Sequence, residues 1–424
     1  MSSVPPGGLI LITGADGYIA SVAVQVFLQR GYHVRGTVRS ITANAWMKAF
    51  FGSNFELVEV PDISTPGAFD EALQGNQGVI DVTINSNLYL LESAAKVLSV
   101  KSVVITSSLA ACALPTAGEP YKIDATTWNT DAIDKTSEPW GGQGNPRWHG
   151  IALYGAAKAR SEQAAFSWVR EHKPSLSFNT VVPNVNFGIA ISPENMSYRS
   201  SAAVIDGIVK GYPDSPSILP SQWYVDVEDT ALLHLAALTL GDVNNERLLA
   251  FGGRYCWTVI LEILHRRFPG KVLLKDVKES AVDAGEVDNK RSADVLRKMG
   301  NHSKGRTQSG AATSALMKRI TNYREGRTSY NLELFGGQLI QPRLTSEEGN
   351  LITARRKNHN EKIPIARDAT VLKTGSIREV SCSLDHPRSR HNTSTDSPNA
   401  DASDLIFPVI HCGSAMHNAI RSID

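Results

Sequence analysis

Residues 9–20 read Leu9-Ile10-Leu11-Ile12-Thr13-Gly14-Ala15-Asp16-Gly17-Tyr18-Ile19-Ala20, an apolar run that enters a glycine turn and leaves it as a helical stripe. The spacing Gly14-x-x-Gly17-x-x-Ala20 puts a small residue wherever a larger one would obstruct the chain. Gly14 permits the tight turn, Gly17 lets the backbone approach a pyrophosphate, and Ala20 lets helix and strand pack closely. The helix beginning at Tyr18 and Ile19 aims its N–H groups and positive dipole end at the same place. A dinucleotide site on Gly14, Gly17, Tyr18, Ile19 and Ala20 is therefore expected, with a purely structural turn as the alternative.

Working outward, short apolar runs alternate with helical patterns, the mark of βαβ units and a parallel sheet covered on both faces. Residues 9–13, 33–38, 55–60, 78–83 and 102–106 read as strands, and 177–182 and 247–250 as later ones. Helices are expected at 19–30, 155–171, 229–240 and 258–267. Ile19, Val22, Ala23, Val26 and Phe27 share one stripe of the first, and Gly31 follows as a stop signal. The class is α/β, a Rossmann-type doubly wound parallel sheet.

Cofactor choice is read about twenty residues past the glycines, where a carboxylate would accept the ribose 2′-OH of NAD. Here the strand ends Gly36-Thr37-Val38-Arg39-Ser40. Arg39 is a planar cation suited to a 2′-phosphate, which favours NADP(H) over NAD(H) unless Arg39 is simply a surface arginine. Asp62 and Ile63, past the third strand, stand where a side chain and a backbone N–H reach an adenine or cap a loop.

Tyr154-Gly155-Ala156-Ala157-Lys158 sets a phenol and an ammonium one helical turn apart on one face. A phenol is a poor acid–base group at neutral pH, and a neighbouring ammonium favours its ionised form. Thr106-Ser107-Ser108 falls at the C-terminal end of the fifth strand, the edge where open α/β sheets bind ligands, and supplies a hydroxyl to polarise a carbonyl.

The glycine turn, Thr106-Ser107-Ser108 and Tyr154-x-x-x-Lys158, with Pro183-Asn184-Val185-Asn186-Phe187-Gly188, and in support Thr127-Trp128-Asn129 and Trp223-Tyr224-Val225-Asp226, resemble the extended short-chain dehydrogenase/reductases. Within them the chain is similar to the dihydroflavonol-reductase-like branch, especially the fungal NADPH-dependent aldehyde and ketone reductases of methylglyoxal-reductase type. The resemblance covers roughly residues 8–300. It implies that Tyr154 donates the proton, Lys158 tunes Tyr154 and holds the nicotinamide ribose, Ser108 binds the substrate oxygen, and Pro183 and Val185 line the nicotinamide. It also implies a core over 1–188 and a smaller substrate lobe over 189–300 interleaved with the last core elements. The substrate is then a small carbonyl compound, with nucleotide-sugar epimerase or dehydratase chemistry, or a non-catalytic dinucleotide-binding protein, as alternatives.

The chain departs from that pattern in two places. Its fourth strand runs straight into a helical stretch at 84–98 without the usual cofactor loop, and Asp81 falls in a strand expected to be buried on both faces. From residue 301 the sequence is unrelated: about 17 Lys and Arg stand against about 12 Asp and Glu, where residues 1–300 hold about 26 against about 30. That Ser/Thr/Asn/Arg-rich tail over 301–424 is expected to be largely disordered.

Over the whole chain, 424 residues with 42% hydrophobic, 20% charged and a net charge of +1 exclude collagen-like and strongly acidic or basic classes, and neither nucleic acid nor membrane is expected as a partner. Four scattered cysteines suggest neither a disulfide framework nor a metal site; Cys112 reads as a small buried hydrophobe. No basic leader or long apolar run precedes the first strand, so a cytoplasmic protein is expected, as a monomer or homodimer. His149 and His234 read as structural hydrogen-bonding residues, and Trp140, Trp148 and Trp223 as packing residues.

Overall fold

The computed structural model describes residues 3–300, apart from 82–86, 117, 139–141, 143–144, 273, 278–280 and 282. Its first half runs β1 (Leu9–Ile12), α1 (Tyr18–Gln29), β2 (His33–Val38), α2 (Trp46–Phe51), β3 (Phe55–Glu59), β4 (Gly78–Asp81), α3 (Asn87–Lys96), β5 (Ser102–Thr106), β6 (Lys122–Ile123), α4 (Thr130–Lys135) and α5 (Pro146–His172). The second continues with β7 (Ser177–Pro183), β8 (Val185–Phe187), α6 (Pro193–Met196), α7 (Ser201–Lys210), α8 (Ser215–Ile218), β9 (Trp223–Asp226), α9 (Val227–Thr239), β10 (Arg247–Ala250), β11 (Gly253–Arg254), α10 (Trp257–Arg267), β12 (Glu286–Val287) and α11 (Lys290–Lys298).

Seven strands pair in the order β10-β7-β5-β4-β1-β2-β3, all parallel. This is the doubly wound arrangement, and its strand order reverses between β1 and β4, the point where such sheets open a crevice at their C-terminal ends. Burial explains the composition of the central strands: every residue of β5 and β7 is buried, so they read as continuous runs rather than alternating ones. One face packs Val22, Ala23 and Phe27 of α1 with Leu233, Ala236 and Ala237 of α9. The other packs Leu90, Leu91 and Ala94 of α3 with Ala165 of α5.

Two smaller sheets, β11-β9-β8 and β12-β6, were not foreseen, because strands of two to four residues are too short to show a period. Strand β10 returns to the main sheet beside β7, with Arg247 opposite Thr180 and Ala250 opposite Pro183. Helix α5 begins at Pro146 rather than at 155. Proline suits the first turn, while Gly150 and Gly155 are poor helix formers that hid the early turns. The Asp81 side chain, the shortened connection at 82–86, Trp140 and the tail 301–424 lie outside the described residues. Among those described, no helix is long and apolar enough to cross a membrane.

Candidate functional site

The crevice side of β1 is built first by backbone. Gly14 takes a positive φ of 57°, which L side chains rarely adopt, and its N–H meets Thr37 Oγ1 at 3.2 Å. Ala15 N donates to Thr37 O and Gly17 N to Gly14 O, both at 2.8 Å. The turn is thereby tied to β2 and closed on itself. Gly17 is the N-cap of α1 and carries no capping side chain, nor does the first turn hold an acid, so the helix N-terminus keeps its donors and dipole for a ligand. Ala20 is buried and Ile19 half-buried behind it. The Tyr18 side chain instead turns inward and donates from its hydroxyl to Gly188 O at 3.3 Å. Burial, then the charges of Asp226 and Glu228, push that phenol well above its ordinary range, so only the Tyr18 backbone faces the turn.

Arg39 follows β2, exposed and with no ion-pair partner among the described residues. Its neighbourhood holds a carboxylate that sequence reasoning missed: Glu59, paired through its strand with Val38, accepts from Ile41 N at 2.7 Å. Glu59 thus caps the chain reversal after β2. Asp62 is exposed and its Oδ1 accepts from Ser64 N at 2.9 Å and Ser64 Oγ at 2.5 Å. These bonds hold its carboxyl below the usual range and tie the loop after β3. Ile63 is partly buried against the α3 face of the core.

At the C-terminal end of β5 the structure gathers three consecutive residues against two helices. Lys158 is buried and donates from Nζ to Thr106 O at 2.9 Å. Thr106 Oγ1 meets His234 Nε2 at 2.8 Å, and His234 Nδ1 meets Thr230 O at 2.7 Å. A carbonyl only accepts, so Nδ1 carries the proton and Nε2 accepts from Thr106; burial pushes this imidazole down to about 4, and it is neutral near pH 7. Half-buried Ser108 accepts from Ala110 N at 3.2 Å. Tyr154, half-buried, stands one turn above Lys158 where α5 crosses the turn after Ser108. That crossing is close: a Cβ on Gly155 would lie 3.0 Å from Ala110 O and 3.1 Å from Asn129 Nδ2. A side chain at 155 would make Ala110 or Asn129 give way, so glycine keeps α5 close to the turn after Ser108.

One more turn down α5 stands Glu162, 1% exposed. Its Oε2 accepts from Ser107 Oγ at 2.6 Å and its Oε1 from Thr180 Oγ1. Arg247 of β10 forks onto it, Nε to Oε1 at 2.9 Å and Nη2 to Oε2 at 3.2 Å. The same guanidinium donates to Ala125 O and Thr127 O at 3.0 and 2.7 Å, meets Cys112 Sγ at 3.3 Å and lies 3.8 Å from the Trp128 ring centroid. Cys112 is therefore more than a small hydrophobe: it accepts from Arg247, and burial pushes its thiol up to about 11. A pair so deeply desolvated survives because every donor and acceptor is met.

Pro183 and Val185 are buried where β7 passes into β8. Between them Asn184 Oδ1 accepts from Val185 N at 2.7 Å, while its buried Nδ2 finds no partner among the described residues. Between α6 and α7, Arg199 reaches back to the glycine turn, with Nη1 3.2 Å from both Asp16 O and Asp16 Oδ2. Glu162, Arg247 and Arg199 were not singled out beforehand, and Ser107 and Asn184 entered only as members of their motifs. Glu162 was findable by extending the Tyr154–Lys158 stripe another four residues, and an arginine heading the apolar strand Arg247–Ala250 was itself a signal. Among the described residues no group of three or more His, Cys, Asp or Glu is placed to hold a metal ion.

Comparison with known proteins gives the following. The NmrA-like family matches residues 6–112. The ketoreductase adrE of Penicillium rubens is 35% identical over 69% of this chain and 91% of its own length. Aldehyde reductase 2 of Sporidiobolus salmonicolor is 30% identical over 70% and 92%. The crystal structure of Gre2 from Candida albicans in complex with NADPH superposes with a TM-score of 0.57 at 25% identity, covering 69% of this chain and 94% of that one.

Proposed function

The chain belongs to the extended short-chain dehydrogenase/reductases, in the dihydroflavonol-reductase-like branch of fungal ketoreductases and aldehyde reductases, and from that membership we propose that it uses NADPH to reduce an aldehyde or ketone on a small organic molecule. The residues present fit the dinucleotide. The turn Gly14–Gly17 and the start of α1 offer uncapped backbone donors to a pyrophosphate, and exposed Arg39 offers a cation for a 2′-phosphate. Tyr154 and Lys158 would hold the nicotinamide ribose, with Pro183 and Val185 against the ring. Bound there, NADPH supplies a hydride to the carbonyl carbon.

The chain's own groups do the rest. Ser108 Oγ donates a hydrogen bond to the carbonyl oxygen and polarises it. The Tyr154 hydroxyl gives up the proton that this oxygen needs as it becomes an alcohol. Lys158, held on Thr106 O, stands one helical turn from Tyr154 and stabilises the phenolate left behind. The observation that supports this reading is the junction of α5 with the end of β5, where Lys158 holds Thr106 O and Gly155 passes close to Ala110 O.

Fluorescence titration with NADPH and NADH, followed by a carbonyl screen read as NADPH oxidation, tests it. Binding of NADPH well ahead of NADH is expected, with the preference narrowed in Arg39→Ala. Tyr154→Phe is expected to lower turnover roughly 10²–10⁴-fold with cofactor binding kept; unchanged turnover removes Tyr154 from the reaction. NADPH binding without turnover of any carbonyl supports the non-catalytic alternative. Conversion of a nucleotide sugar without net NADPH consumption supports the epimerase one.

A further inference from the structure

We propose that Glu162, locked by Arg247, is a positioning residue that acts through the Ser107 hydroxyl to set Ser108 against Tyr154. The inference rests on the reductase reading above, and its geometry lies outside the groups which that reading uses. Tyr154, Lys158 and Glu162 occupy successive turns of one face of α5, at i, i+4 and i+8. Each of the lower two grips one residue of the strand end: Lys158 takes the carbonyl of Thr106 and Glu162 takes the hydroxyl of Ser107. Ser107 N also donates to Val181 O at 2.8 Å. Two consecutive residues are thus indexed to the helix that carries Tyr154, and the next residue along the chain is Ser108.

Arg247 makes the grip stiff. A carboxylate with one bond turns freely, whereas Glu162 accepts from Ser107, Thr180 and two guanidinium nitrogens, which fixes both oxygens. The two Arg247 Nη1 hydrogens hold Ala125 O and Thr127 O, and Asn129 of the same loop donates to Ala110 O at 2.8 Å. The turn after Ser108 is therefore braced from the far side by the same cation. Displacing a reacting group by about 1 Å costs up to 10²-fold in rate, so this bracing is worth keeping in an enzyme that must hold Ser108 and Tyr154 on one oxygen.

Replacing Glu162 itself would strand a buried guanidinium and risk the fold. The test uses Ser107→Ala, which removes the link and leaves the ion pair, beside Thr180→Val, which removes another hydroxyl from the same carboxylate without touching the strand end. Ser107→Ala is expected to lower kcat about tenfold with the carbonyl KM and the NADPH Kd within about twofold. Thr180→Val is expected to lower the melting temperature as much with a far smaller loss of kcat. Equal losses in the two variants, or a Ser107→Ala kcat within about twofold of the parent, would overturn the proposal. If the parent turns over no carbonyl compound, the reductase reading fails by itself. Amide exchange then still decides the positioning: faster exchange across residues 106–112 in Ser107→Ala, but not in Thr180→Val, supports it, and unchanged exchange overturns it.

Discussion

Acidification should unlock the fold through His234 before it touches most carboxylates. In the native chain this imidazole is fully buried between Thr106 Oγ1 and Thr230 O, and burial lowers it from 6.5 to about 4, the Thr230 bond opposing only in part. In the unfolded chain it takes up its proton near 6.5. Between those values the unfolded state binds more protons, so the contribution is complete above pH 6.5 and is lost as the pH falls toward 4. At about 1.4 kcal/mol per unit the whole loss is about 3 kcal/mol, a large fraction of a typical domain's stability. Asp62, Asp124 and Asp242, whose values are lowered from 3.8, act in a more acidic window. Urea unfolding at successive pH values between about 7 and about 4.5 reads the slope directly. His234→Gln should be less stable at neutral pH by about 1 kcal/mol for the altered buried hydrogen bonds, yet nearly flat across the window. Equal slopes in parent and variant would refute the assignment.

Two further outcomes follow from the site. Arg199 and Asp16 form a half-exposed pair beside the phosphate turn, so Arg199→Ala leaves a carboxylate facing the pyrophosphate. NADPH affinity measured by fluorescence should fall about two- to fivefold, equivalent to 0.5–1 kcal/mol, and Asp16→Asn in the same chain should restore it; no change in Kd would make the pair a simple strap. Gly155→Ala pushes a methyl against Ala110 O and Asn129 Nδ2, and is expected to cost about 1–3 kcal/mol in denaturant unfolding together with turnover, because α5 must back away from Ser108. Full activity would show that the crossing has slack.

What could be read beforehand was whatever the chain writes locally. The glycine turn, the Tyr154–Lys158 pair and the strands at 33–38, 102–106 and 247–250 each lie within a few residues, where spacing alone specifies geometry. The Rossmann order then follows from the handedness of βαβ connections. Arg247 and Glu162 were opaque for the opposite reason: 85 residues separate them, and only the register of β10 on β7 brings them together. The Tyr18 hydroxyl, turned away to Gly188 O, and the Cys112 thiol, drawn to Arg247, depend on rotamers that no periodicity encodes. Asp62 was left between two roles, and its bonds to Ser64, which rest on rotamers, were likewise invisible in the spacing.

The late position of Arg247 in the chain bears on how the protein is made. At about 5–20 residues per second, the ribosome needs roughly 4–17 s to get from Glu162 to the cation that holds it. Through that interval β7 has no neighbour on its outer edge, and the Glu162 carboxylate lacks the cation that will hold it. A nascent chain can thus assemble β1 to β5 and display its glycine turn well before Ser107 is braced. Dinucleotide could be captured during synthesis as a folding ligand, stabilising the early strands by mass action, while reduction waits for β10. Chemistry is in this sense the last property the polypeptide acquires.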